Sequence, residues 1–250
     1  MNIAGLIIGA LLAPLTGVVS WLRQSRTFHP RGIACRAQAE AVARDGELGE
    51  LARALEGPTL VRFSSALWKK GDRIDVLGCA LRFAREPLGA EADAGDQDLL
   101  FATIRRPWTM AFSPFTTDVG DFLANHYYAV SPFRAGDGAR VEWRLSPERP
   151  SPAGATRAER FEAAVAASGV SLLLERAPYR SAFRAFDETP FRPLVRLHRF
   201  ELFDIDQEAL RFSPFRAGRG IVPVGFVHWL RSATYAASQR ARPTRARRSE

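Results

Sequence analysis

The chain has 250 residues, of which 46% are hydrophobic and 25% are charged. This length allows one sizeable core, or one core plus an appendage, and the charged fraction is ordinary for a soluble domain. Two cysteines, Cys35 and Cys79, are too few for a disulfide framework and lack metal-ligand spacing. The net charge is +8, and half of it comes from the tail Arg240–Glu250, with five arginines and one glutamate. Such a tail is either solvated or in contact with anionic lipid or nucleic acid.

The first element in chain order is Ile3–Leu22, a run of 20 residues without a charge. A helix of this length can cross a hydrocarbon core of ~30 Å. The first charge is Arg23 and further arginines follow it, so the positive-inside rule places the rest of the chain on the cytoplasmic side. Gly5 and Gly9 have the spacing that lets two helices pack closely, as in a homodimer. A hydrophobic arm packed on another subunit, or an atypical signal sequence, are the alternative interpretations.

The remaining pattern predicts one α+β domain without a second boundary. Apolar residues at helical spacing, followed by Gly57 and Pro58, predict a helix at Ala37–Glu56. Further helices are predicted at Val119–Tyr127, Thr156–Ser168 and Phe226–Ser238. Strands are predicted at Leu60–Ser65, Arg73–Phe83, Leu99–Arg105, Val141–Leu145, Val170–Glu175 and Leu194–Phe203. Glu86–Asp98 and Arg149–Ala155 are interpreted as loops, and Cys79 as a small buried apolar residue.

Three segments in the first half of the chain resemble the catalase family, and they occur in the family's order. The sequence Arg26-Thr27-Phe28-His29-Pro30-Arg31-Gly32 is similar to the segment of the distal histidine. Val61-Arg62-Phe63-Ser64-Ser65 is similar to the Arg-Phe-Ser strand that follows it. Val76–Phe83 together with Asp98–Leu100 is similar to the next strands of the family's barrel.

A fourth segment is similar to the proximal region of catalases. It comprises Phe212–Pro214, Gly220–Pro223 and Arg231–Arg242. Arg231 and Tyr235 are four residues apart, so on a helix they share a face, and the arginine favours the phenolate form of the tyrosine. The resemblance implies that Tyr235 is the axial ligand of a haem iron. Arg242 follows two helical turns later, ~10 Å along the axis, which suits a haem propionate.

The resemblance also implies the other site residues and the cofactor, haem b. No Cys-x-x-Cys-His sequence is present, which excludes covalent c-type attachment. Arg26 and Arg62 are the further expected propionate partners. His29 is expected to move a proton between the two oxygens of a bound hydroperoxide, with Ser64 orienting it. Phe115, and also Phe112, are expected to wall the distal pocket.

The chain departs from the family in length and at one distal position. We expect a shortened catalase core without the extended N-terminal arm and the C-terminal helical domain of catalases. The family's distal asparagine is replaced by Ala102, or by Thr103 if the alignment slips by one residue. Loss of this amide weakens the positioning of the second peroxide molecule that dismutation requires. The expected substrates are therefore organic or lipid hydroperoxides, or else hydrogen peroxide.

Together these patterns predict an α+β protein with a catalase-like antiparallel β-barrel core and flanking helices, preceded by an N-terminal hydrophobic helix. The predicted divisions are residues 1–22 (anchor or arm), 23–242 (haem domain) and 243–250 (basic tail). We expect a peroxide-metabolising haem enzyme on the cytoplasmic side of a bacterial inner membrane, associated through residues 3–22, or alternatively a cytoplasmic protein. A haem carrier or sensor, or a membrane-anchored interaction protein, are the other functions considered. No specific nucleic-acid partner is expected, and His126, His198 and His228 are interpreted as structural.

Overall fold

A computed structural model describes residues 32–66, 72–85, 88–129, 131–180, 190–207, 209–225 and 228. The strands in this part are β1 (Gly32–Ala41), β2 (Gly57–Ser65), β3 (Leu77–Phe83), β4 (Gln97–Ala102), β5 (Tyr127–Tyr128), β6 (Phe133–Arg134), β7 (Arg140–Pro147), β8 (Leu172–Pro178), β9 (Arg192–Leu202) and β10 (Val222–Pro223). The helices are α1 (Gly46–Ala54), α2 (Ser113–Thr116) and α3 (Arg157–Ala166). Single 3-10 turns occupy Pro107–Thr109 and Phe122–Ala124.

Eight of the strands close into an antiparallel barrel. Their order is β7-β5-β4-β3-β2-β1-β9-β8, and β8 pairs with β7 to close the ring. β6 extends the sheet beside β7, and β10 pairs with β6. Closure removes the open edges that an exposed sheet would present. The predicted α+β architecture with an antiparallel barrel core is confirmed.

The barrel interior is apolar, and strand alternation fills it. In β1 to β4 the odd-numbered side chains point inward and join the core: Cys35, Ala37, Ala39, Ala41, Val61, Phe63, Leu77, Cys79, Leu81, Phe83, Leu99 and Phe101. The largest buried side chains include Trp143, Tyr127 and Phe161. Both cysteines are buried free thiols, which confirms the prediction for Cys79.

Two predicted helices are corrected by the structure. Ala37–Ala41 belongs to β1 rather than to a helix, because its alternate alanines are buried in the barrel and its backbone pairs with β2 and β9. The helix that follows begins only at Gly46. The helix predicted at Val119–Tyr127 was also wrong, because only Phe122–Ala124 forms a 3-10 turn, capped by Asp121.

The other predicted elements that fall on described residues lie close to their predicted positions, whereas the helix predicted at Phe226–Ser238 lies, apart from His228, outside the described residues. The six predicted strands correspond to β2, β3, β4, β7, β8 and β9, with ends that differ by a few residues. The helix predicted at Thr156–Ser168 is α3, whose first turn is capped by Thr156 and Glu159. The segments that carry residues 3–22, Arg26, His29, Arg231, Tyr235 and Arg242 lie outside the described residues. None of the described helices has both the length and the apolar character that crossing a bilayer demands.

Candidate site on the outer wall of the barrel

The strand register aligns the outward side chains of β1 to β4 in three rows. The upper row is Gly32, Ser64, Gly78 and Ala102. The middle row is Ala34, Arg62, Ala80 and Leu100. The lower row is Arg36, Leu60, Arg82 and Asp98. Six of the eight side chains in the upper and middle rows are glycine, alanine or serine, so these two rows form a low, flat wall that we call the small-residue strip.

Gly32 begins the upper row, and only glycine fits there. A Cβ atom at this position would lie 2.3 Å from the carbonyl oxygen of Phe63 and 2.8 Å from Cζ of Arg62. The absence of a side chain therefore lets β1 start close against β2 and against the Arg62 guanidinium. This glycine is the last residue of the distal segment that resembles catalases.

Arg62 lies in the middle row and is only 3% exposed. Its Nε donates to Oε1 of Gln207 at 3.1 Å, and Nε2 of Gln207 donates to the carbonyl oxygen of Gly32 at 2.6 Å. Gln207 thus couples Arg62 to the beginning of β1 and sets the guanidinium against the strip. The sequence motif identified Arg62 but not Gln207, because this contact joins residues 145 positions apart and no local pattern signals it.

The strand register separates Ala102 and Thr103, the two residues that are candidates for the position of the family's asparagine. Ala102 is aligned with Ser64 across Gly78, on the outer wall. Thr103 follows the end of β4, and its Oγ1 accepts from the backbone N–H of Leu77 at 3.1 Å and lies 2.7 Å from Oγ1 of Thr117. The register therefore places the methyl group of Ala102 in the row of Ser64, on the far side of Gly78, while the Thr103 hydroxyl holds the segment that follows β4.

The lower row is closed by a buried ionic cluster. Arg82 and Asp98 are 1% and 0% exposed, and Nε of Arg82 lies 3.0 Å from Oδ1 of Asp98. Arg216 also contacts the Asp98 carboxylate, which accepts the backbone N–H of Ser213 at 2.8 Å as well. Burial raises the pKa of the Asp98 carboxyl, and the charge of Arg82 opposes that shift. This cluster fastens the segment containing the Phe212–Pro214 motif over the lower row. Leu210 and Phe212 form an apolar cluster there, and Ala80 and Leu100 of the middle row pack against it.

The aromatic residues expected beside the site lie on the segment between β4 and β5. Phe112 is 66% exposed and Phe115 is 74% exposed. Phe115 belongs to α2, and the described residues do not bury its ring against the strip. The predicted aromatic wall is thus not formed by the described part of the chain.

The three described histidines lie outside the three rows. Nδ1 of His126 is 3.0 Å from Oγ of Ser146, and burial together with the charge of Arg144 lowers the pKa of His126. Nε2 of His198 lies 3.7 Å from a carboxylate oxygen of Glu40. His228 is 3% exposed, and its ring centroid lies 4.7 Å from that of Phe133. These contacts agree with a structural interpretation of all three.

Comparison with solved structures identifies the fold. A fungal catalase aligns with a TM-score of 0.60 and 13% identity, over 92% of this chain and 62% of that one. Catalase A from Saccharomyces cerevisiae aligns with a TM-score of 0.60 and 14% identity, over 87% of this chain and 61% of that one. No family model matches the sequence, and no curated protein matches it. The protein therefore has a catalase-like fold, and it spans less than two thirds of the length of either catalase.

Proposed function

We propose that this protein binds haem b against the small-residue strip and uses it to cleave the O–O bond of a hydroperoxide. The observation that supports this most directly is the strip itself, where six small residues, Ser64 among them, lie beside Arg62. A porphyrin is flat and carries anionic propionates. A wall without bulky side chains suits the flat ring, and a guanidinium suits a carboxylate through paired hydrogen bonds. The described residues therefore fit the group.

Residues outside the described part complete the proposed site. Tyr235 would hold the iron, and Arg231 one turn before it would favour the phenolate. Arg26 and Arg242 would join Arg62 in binding the propionates. When bound, ferric haem supplies the redox chemistry of O–O cleavage.

His29 is the proposed acid–base residue, and chain connectivity keeps it near the strip. It precedes Gly32 of the upper row by three positions, so their Cα atoms lie within about 11 Å of each other. In the proposed reaction His29 takes a proton from the inner oxygen of the hydroperoxide and returns it to the outer oxygen. Ser64, in the same row as Gly32, would orient the imidazole.

The proposed substrates are organic or lipid hydroperoxides rather than hydrogen peroxide. The upper row has one polar side chain, that of Ser64, and the methyl group of Ala102 takes the place of an amide. An apolar wall gives a second hydrogen peroxide molecule few partners, whereas it accommodates the carbon chain of a larger peroxide. The proposed preference for organic hydroperoxides follows from the replacement of the family's asparagine by Ala102.

The absorption spectrum of the protein produced with haem supply tests the cofactor. We expect one b-type haem per chain in a high-spin ferric state, and Tyr235→Phe should lose most haem affinity or the tyrosinate signature. Protein that takes up no haem would contradict the proposal. If Tyr235→Phe kept the wild-type spectrum, the iron ligand would lie elsewhere while haem binding itself stood.

Peroxide kinetics test the reaction. The His29→Ala variant should keep haem and lose at least ~10²-fold in peroxide-dependent rate, the usual scale of acid–base catalysis. The kcat/KM for a fatty-acid hydroperoxide should exceed that for hydrogen peroxide. Rapid oxygen release from hydrogen peroxide, without consumption of the lipid hydroperoxide, would contradict the substrate assignment.

The absence of an amide at Ala102 also favours a second function, that of a haem carrier or sensor without turnover. This function needs the strip and the haem ligand but not proton transfer at His29. The haem-loaded protein separates the two functions, because a carrier or sensor would show the haem spectrum and no turnover with any peroxide tested.

A further inference from the structure

Large apolar side chains are exposed at few places in the described part of the chain, and most of these places adjoin one another. Seven such residues are exposed in the described ranges. Five of them lie on the two segments beside the end of β4, and we call them the apolar tip: Ile74, Trp108, Met110, Phe112 and Phe115. Scattered single apolar residues are normal on a protein surface, but a cluster of this kind marks a binding surface.

The two segments of the apolar tip leave the barrel at the same end. The loop between β2 and β3 carries Ile74, and the segment after β4 carries the other four residues. The backbone N–H of Thr103, just past β4, donates to the carbonyl oxygen of Leu77 at 2.9 Å. Ile104 packs with Ala66 and Val76 in a small apolar cluster at the base of both segments. The upper row of the strip lies at this end of the barrel too.

Hydrogen bonds hold the segment after β4 at both ends, so its apolar side chains stay turned outward. At its start, Arg106 pairs with Glu142 at 2.7 Å, with both side chains largely buried. In its middle, Oγ of Ser113 donates to the carbonyl oxygen of Thr109 at 2.9 Å. At its end, the Thr117 hydroxyl lies 2.7 Å from that of Thr103. Exposed apolar surface costs roughly 25 cal/mol per Å², so a rigid segment that presents it gains stability from an apolar partner.

The path of the chain indicates which partner this is. The chain enters the barrel at Gly32, which is in the same row as Ala102 and therefore at the same end of the barrel as the apolar tip. The uncharged run Ile3–Leu22 ends ten residues earlier, and the connector 23–31 contains three arginines and no acidic residue. An apolar run, a basic connector and exposed aromatic residues at one edge are the combination found where a protein meets a lipid bilayer.

We infer that the apolar tip inserts into the surface of a lipid bilayer, as a second contact beside the N-terminal run. Exposed Asp72 and Arg73 precede Ile74 in one segment, and half-buried Arg105 and exposed Asp118 lie on either side of the aromatic residues in the other. Opposite charges therefore balance at the tip, and insertion is driven by the apolar side chains. The upper row of the strip would then face the membrane. This inference does not depend on haem binding.

The chain suits a thiol-labelling test without removal of its own cysteines. Cys35 and Cys79 are 0% and 2% exposed. Burial raises the pKa of Cys35 to about 12 and that of Cys79 well above its ordinary value. A cysteine introduced at the surface is therefore the reactive thiol among the described residues, so a nitroxide can be placed at one chosen position.

The test places a nitroxide at Phe112→Cys or Phe115→Cys in the full chain, reconstituted into phosphatidylcholine vesicles with and without phosphatidylglycerol. The control is Val222→Cys, which is 47% exposed. This control lies at the opposite end of β4, because Gln97 at the start of β4 contacts the backbone of Ile221. Collision with oxygen and with a water-soluble nickel chelate measures the depth of each label.

Labels at 112 and 115 should gain oxygen contact and lose nickel contact, at a depth of roughly 5–10 Å below the headgroup boundary. The label at 222 should stay in water. Equal aqueous exposure of all three labels would overturn the inference. Shielding of 112 and 115 from both reagents without vesicles would also overturn it, because the tip would then be covered by protein, either the N-terminal run or a second copy of the chain.

Discussion

The two faces of β1 to β4 differ in the size of their side chains. The inner face carries rings such as Phe63 and Phe83, which are 0% exposed. The outer face of the same strands carries glycine, alanine or serine at six of the eight positions of its upper and middle rows. The inner face supplies stability through burial, and we propose that the small residues of the strip serve haem binding instead. This difference predicts that stability and haem binding can be altered separately in the same four strands.

The largest expected effect is on the inner face. The Phe63 ring centroid lies 4.9 Å from that of Phe161 and 5.3 Å from that of Phe122. Phe63→Ala should therefore lower the free energy of unfolding by about 3–5 kcal/mol, as measured by urea denaturation. The matched control is exposed Phe112→Ala, which should change it by no more than about 0.5 kcal/mol. Similar losses for both variants would remove the distinction between the faces.

The lower row is the part of the outer face that does stabilise the fold. Asp98→Asn keeps the side-chain volume but removes the carboxylate that faces Arg82, which is 1% exposed. An uncompensated buried charge should cost about 3 kcal/mol in thermal or denaturant unfolding. The expected loss is below that of Phe63→Ala because Arg216 is 22% exposed and water can solvate its charge. A variant as stable as the wild type would show that this cluster is not needed to hold the segment.

A smaller effect is expected at the surface network of Glu148. Two hydrogen bonds of 3.0 Å from Arg196 lower the pKa of the Glu148 carboxyl. Because the folded-state pKa is lowered, the stabilisation is complete above the ordinary value of about 4.3 and is lost as pH falls through the lowered pKa. Glu148→Gln should cost less than about 1 kcal/mol at neutral pH, since Arg196 is 43% exposed, and nothing in strong acid. Denaturation curves at both pH values check this, and an equal loss at both would contradict it.

Local sequence patterns correctly predicted those helices and strands whose residues favour a single kind of secondary structure. Leu60–Ser65 contains Leu60, Val61 and Phe63 and follows a Gly-Pro pair, and Thr156 with Glu159 marks a helix start, so both were predicted correctly. The helix predicted at Ala37–Ala41 was wrong, because alanine suits a helix and also suits a crowded barrel interior. Backbone pairing with β2 and β9 makes this segment a strand.

The candidate site shows the same limit. Motifs identified Arg62 and Ser64, but the alignment alone left Ala102 and Thr103 as alternatives, and the sheet register placed Ala102 in the upper row. Gln207 could not be predicted, because it reaches Arg62 through a contact between distant parts of the chain.

Haem titration of two leucine variants tests most directly whether haem binds at the strip. Ala102→Leu places a branched side chain within the strip, and Gln38→Leu places the same side chain on the outer face of β1, beyond the lower row. We predict that Ala102→Leu loses most haem binding but stays folded, with a free energy of unfolding no more than about 2 kcal/mol below the wild type, because Ala102 is only partly buried. Gln38→Leu should bind haem as the wild type does. Wild-type haem affinity in Ala102→Leu would show that the strip is not where haem binds.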